Sequence, residues 1–90
     1  MKEHHLKTIT PYFELCLQGL KTFEVRINDR DFKQGDTLYL HDYNSEKNTY
    51  SGRALKCRIL YILSDYPAIE KGYVVFSFSI EKYIPKFSII

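Results

Sequence analysis

Residues 22–28 alternate without a break, with Phe23, Val25 and Ile27 set against Glu24, Arg26 and Asn28. Neighbouring side chains of a strand leave opposite faces, so the pattern predicts a β-strand with one apolar and one polar face. The apolar trio is expected to face a core. At 90 residues the chain is long enough for one domain and too short for two. Hydrophobic residues at 44% and charged residues at 27% exclude disorder for most of that length. The 8 Tyr and 6 Phe suit half-buried sheet surfaces, since tyrosine joins an apolar body to a polar tip.

The remaining segments supply partners for that strand. Residues 3–9 are β-compatible and run into Thr10-Pro11, which reads as an N-cap with proline at the first helical position. Phe13, Leu17 and Leu20 then recur at helical spacing beside Cys16, and Gly19 ends a short amphipathic helix. Phe32 is expected to anchor the loop between the turn signals Asn28-Asp29-Arg30-Asp31 and Gly35-Asp36. Residues 37–43 alternate again, Leu38 and Leu40 against Tyr39 and His41, and form a hairpin with 49–63, where Gly52 marks a bulge. Residues 73–80 make the last strand and 81–90 a tail. One helix among several β segments gives an α+β, mostly β domain over 1–90, of five to six mostly antiparallel strands with one or two short helices. Curling that sheet into a small barrel buries one face and removes exposed edges.

Many functions are excluded. The four glycines stand singly at 19, 35, 52 and 72, so no glycine-rich phosphate loop is present. His4 and His5 are strand neighbours that point apart, and no cysteine pair has ligand spacing, so no metal or other cofactor is expected. Cys16 and Cys57 lie in apolar runs and read as reduced, buried thiols, with no disulfide-linked partner. No apolar run reaches membrane-spanning length and the start has no apolar leader, so the expected place is the cytoplasm, away from membranes. The net charge is +2, so any basic footprint for nucleic acid must be local.

One such concentration lies at Gly19-Leu20-Lys21-Thr22-Phe23-Glu24-Val25-Arg26. Glu24 and Arg26 are two apart on one strand and leave the same face, close to Lys21 at the helix-to-strand junction. The plain reading is a solvated strand face of ion pairs, which stabilises little. The functional reading is a cleft with an arginine fork, a lysine point charge and a carboxylate that orients them or moves a proton. Arg53, Lys56 and Arg58 form a second basic group, and the usual role of such a face is solvation.

Gly19, Lys21, Glu24 and Arg26 match the G-x-K-x-x-E-x-R signature of ASCH domains, and the sequence resembles a small bacterial and phage subfamily of them. The resemblance extends through His4-x-Leu6-Lys7, Tyr12-Phe13, the block from Lys21 to Phe32, Gly35-Asp36, residues 49–53 and residues 72–75. It implies a PUA-like β-barrel associated with RNA binding. Related small ASCH proteins include an amidohydrolase acting on acetylated cytidine, whose chemistry uses a lysine, a threonine and a glutamate, and others reported as ribonucleases. Lys21 matches that lysine. Glu24 stands where the amidohydrolase has its threonine, Thr22 is nearer than expected, and Ser77 and Ser79 stand in the last strand where a carboxylate would be wanted.

Three functions follow as expectations. The first is a binding module for RNA or a nucleotide-like ligand, with Lys21 and Arg26 on phosphate and Glu24 on a base edge or on Arg26. Tyr39 or Tyr73 would stack a base, and Lys7, Asn28 and Arg30 would line the rim. The second is a small hydrolase of a modified nucleoside or RNA, with Lys21 as nucleophile or base and Glu24 transferring protons. The third is a prophage-type interaction domain whose cleft binds an acidic protein segment. A buried Lys21 hydrogen-bonded to Glu24 favours chemistry, and an open groove with exposed aromatics favours strand binding.

Overall fold

A computed structural model describes residues 1–87. The elements run β1 (Glu3–Ile9), α1 (Thr10–Leu17), β2 (Phe23–Ile27), β3 (Thr37–Asn44), β4 (Thr49–Leu63) and β5 (Tyr73–Ile84). The architecture is α+β and mostly β: five strands form one sheet, ordered β1-β3-β4-β5-β2 and curled into a half-barrel, with a single short helix among the described residues. β1 lies parallel to β3, and the other three pairings are antiparallel.

Irregular pairing helps the sheet curl. His41 pairs with Ala54 and Tyr43 with Tyr50, so Ser51, Gly52 and Arg53 stand against Asp42 alone. Gly52 takes the positive φ of 95° at this bulge, a conformation open to residues without a Cβ. β4 and β5 change register twice more, beside Lys56 and beside Ile59. The inner face collects Leu6, Leu38, Leu40, Leu55, Cys57, Ile59, Val74, Phe76 and Phe78, and α1 adds Phe13 and Cys16. Phe32 anchors its loop into this core. Both thiols are free and buried, and burial pushes the Cys57 thiol up to about 12.

Four expectations change. Thr10 does not cap the helix: Ile9 occupies the cap position without a side-chain bond, and the Thr10 hydroxyl donates to the Tyr43 carbonyl at 3.2 Å. Its hydroxyl serves the β3 end in place of the first helical turn. Leu20 lies beyond the end of the helix and is exposed. The last strand extends through Ile84, because β4 is long enough to pair Ala54 with it; of the expected tail, 88–90 lie outside the described residues.

The fourth correction concerns β2. Phe23, Val25 and Ile27 are 47%, 56% and 52% exposed, whereas Glu24 is 4% exposed. The alternation is real and its faces are reversed. β2 ends the sheet order, so its inner face looks across a seam toward β1, the opposite edge. Lys21 and Arg26 both bond Glu24 there, which offsets the cost of burying its charge.

Candidate ligand-binding cleft

The end of α1 sets the position of Lys21. Gly19, at φ 77°, turns the chain, and the Leu20 and Lys21 amides both donate to the Leu15 carbonyl, at 3.0 and 3.1 Å. Lys21 Nζ then donates to the Phe23 carbonyl at 2.8 Å and to Glu24 Oε2. Arg26 donates from Nε at 3.0 Å and from Nη2 at 2.8 Å to Glu24 Oε1. Both carboxylate oxygens are thus held by cations, and the three residues singled out in the sequence converge.

The same arginine bridges the seam. Arg26 Nη2 also donates to the Lys7 carbonyl at 2.8 Å, and Arg30 Nη1 donates to the His5 carbonyl. Those two carbonyls are two residues apart on β1, so they point the same way, along the edge that β3 does not occupy. The guanidinium groups substitute for a missing strand partner there.

Between the strands lies a cleft of about 400 Å³, lined by Lys7, Thr8, Ile9, Tyr12, Lys21, Phe23, Glu24, Val25 and Arg26. That volume falls in the range of small-ligand pockets, about 300–1,000 Å³. Lys21 Nζ sits 5.2 Å from the Phe23 ring centre and 5.8 Å from that of Tyr12, giving the mouth an aromatic lining. On the β1 side Thr8 is 2% exposed, and its hydroxyl has no partner among the described residues. A buried hydroxyl without a hydrogen bond is costly unless a ligand or water completes it. No group of three or more His, Cys, Asp or Glu suited to a metal occurs among the described residues.

Residues 3–78 match the family described as a domain of unknown function, DUF3850. The chain belongs to that family. It is also similar to an uncharacterized 12.9 kDa protein encoded in the GpA 3′ region of Escherichia phage P2, with 39% identity over 67 residues, which cover 72% of this chain and 60% of the phage protein. In this DUF3850 domain the matched region contains every residue of the cleft.

The other expected site residues separate into groups. Lys7 lines the cleft, with its ammonium 4.6 Å from the Tyr43 ring centre. Arg30 and Tyr73 line an adjoining hollow beside Arg26. Asn28 is a turn residue whose Oδ1 accepts the Phe32 amide at 3.1 Å. Tyr39 is not at the cleft: it stacks on His5, 4.8 Å between centres and 6° between planes, because odd-numbered β3 residues leave the outer face. The two arginines of the second basic group are paired with carboxylates. Arg53 bonds Glu14 and Asp42, and Arg58 bonds Glu81 at 2.7 Å. Glu14 and Asp42 raise the Arg53 guanidinium above its usual value against the opposing effect of burial.

Thr8 and Tyr12 also line the cleft, though nothing in the sequence assigns them a place in the site. The available signal for Thr8 was its phase: it follows His4 and Leu6 at a spacing of two, a polar residue in an inward series.

Proposed function

We propose that this DUF3850 domain binds RNA or a nucleotide-like ligand in the cleft between β1 and β2, as an ASCH-like, PUA-related module. The observation that carries the reading is the Thr8 hydroxyl, buried and unpartnered across the cleft from Lys21, Glu24 and Arg26. Lys21 uses two of its three donor positions on protein, and Arg26 Nη1 has no protein partner among the described residues. These donors suit phosphate or carbonyl oxygens, and the Tyr12 and Phe23 rings suit a base.

A second reading, hydrolysis of a modified nucleoside or RNA, is favoured by the close bond between the part-buried Lys21 and the buried Glu24. A carboxylate and an amine in contact can exchange a proton with each other and with a substrate. The test is a panel of modified nucleosides and short RNAs, following binding and turnover together. Arg26→Ala and Lys21→Ala are each expected to weaken binding and to flatten its salt dependence by about one phosphate contact. Glu24→Gln separates the readings, since a hydrolase loses turnover with binding retained. Failure of the parent protein to bind any member of the panel at any salt concentration leaves the trio a structural ion-pair cluster.

A further inference from the structure

Beyond Arg26, on the outer side of β1, a separate pocket of about 320 Å³ is lined by His5, Leu6, Lys7, Arg26, Arg30, His41 and Tyr50. Three permanent cations, two imidazoles and a phenol surround it, with no carboxylate among the described lining residues. Lys7 and Arg26 line both this pocket and the cleft, so the two spaces adjoin.

The histidines show what the pocket offers. His5 Nδ1 lies 2.8 Å from His41 Nε2, so one nitrogen donates and the other accepts. His41 is 2% exposed, and its Nδ1 has no partner among the described residues. Burial, and then His5, lower the His41 pKa and keep that ring neutral. If His5 donated, neutral His41 would carry its proton on Nδ1 and bury an unpaired N–H. Donation from His41 avoids this and leaves the proton of neutral His5 on Nε2, a donor on the exposed side of β1. Arg30 uses Nη1 on the His5 carbonyl and has no bond from Nη2 among the described residues. Among the described residues the Tyr50 hydroxyl likewise has no partner and Lys7 makes no ion pair.

We propose that this pocket is a phosphate subsite, bound by Lys7, Arg26, Arg30 and the His5–His41 pair. Resting on the binding reading above, it specifies a ligand that carries a phosphate on the far side of Arg26 from Glu24. A nucleotide and an RNA backbone both supply that group. Glu24 holds one side of Arg26 and Asp29 lies 3.9 Å from Arg30 Nε, which leaves Arg26 Nη1, Arg30 Nη2 and the Lys7 ammonium as the donors for phosphate oxygens.

The test titrates the full chain with sulfate, with each ordinary ribonucleoside and its 5′-monophosphate, and with short single-stranded RNAs, following histidine ring signals by NMR and affinity by calorimetry. Sulfate is expected to shift the His5 and His41 signals, and a monophosphate to bind at least tenfold more tightly than its nucleoside. Arg30→Ala should erase that advantage; Lys7→Gln serves if loss of the seam bond unfolds the first variant. A gain confined to RNA assigns the phosphate to a strand backbone, and a gain already present in the monophosphate assigns it to a free nucleotide. Equal affinity for nucleoside and monophosphate, with histidine signals unmoved by sulfate, overturns the subsite while leaving the cleft reading intact. Sulfate shifts without binding of any nucleoside, nucleotide or RNA support the subsite and remove the cleft reading.

Discussion

The middle of the sheet and its two edges treat the same inner face in opposite ways. In β3, β4 and β5 that face carries Leu38, Leu40, Leu55, Cys57, Ile59, Val74 and Phe76, all buried in one apolar cluster. At the edges it carries Thr8 of β1 and Glu24 and Arg26 of β2, met across a seam that arginine side chains span. A curled sheet covers its centre with its own layers and with α1, but its edges meet each other without a backbone ladder. The unpaired carbonyls of β1 need donors. Polar side chains supply them, and the opening they frame is the cleft.

The largest expected effect breaks the central half of that contrast. Phe76→Ala removes a side chain from the most buried layer and should cost about 3–5 kcal/mol in denaturant melts, a large share of the stability of so small a domain. Glu24→Ala tests the edge. It leaves Lys21 and Arg26 facing each other, and their side chains keep 18% and 30% exposure. Solvent screening therefore lowers the expected cost to about 2 kcal/mol, below that of breaking a fully buried pair.

Asp36 sharpens the contrast from outside the cleft. Burial alone would raise its pKa, but hydrogen bonds from His4 and from the Lys33 and Lys2 amides, with the charge of His4, outweigh this and hold it below the ordinary 3.8. A depressed folded value contributes stability above the unfolded pKa that is lost as pH falls through the folded one. The parent protein should therefore lose stability as the pH drops below about 4, and Asp36→Asn, at a cost of about 1.5 kcal/mol at neutral pH, should show a flatter acid limb. Thr10→Ala should cost about 1 kcal/mol through the lost bond to the Tyr43 carbonyl. An equal loss in Tyr43-side reporters and helix reporters, followed by amide hydrogen exchange, distinguishes this tie from a cap.

What could be read from the chain follows sequence distance. Strand and helix spans depend on local periodicity, and β4 falls at the expected residues 49–63. Lys21, Glu24 and Arg26 converge because they lie within six positions of one another. The parallel pairing of β1 with β3 joins residues more than thirty positions apart, which no turn signal announces, and it is this pairing that brings Thr8 to the cleft and takes Tyr39 to the outer face. The reversal of the β2 faces has a related cause. Alternation separates two faces, but position in the sheet decides which one is covered, and the edge reverses the usual rule that the apolar face turns inward. Two cations beside a carboxylate make the inward polar face tolerable.

Val25→Asp measures that reversal most directly. Val25 pairs with Val75 of β5 and is 56% exposed on the outer face. A charge there is expected to cost at most about 1 kcal/mol, the span of strand preferences at an exposed position. The predicted result is a soluble protein with a single cooperative melt close to that of the parent, and with Glu24 still protected inside the seam. A Val25→Asp chain that cannot fold would place Val25 in the core, turn Glu24 and Arg26 to solvent, and contradict the cleft itself.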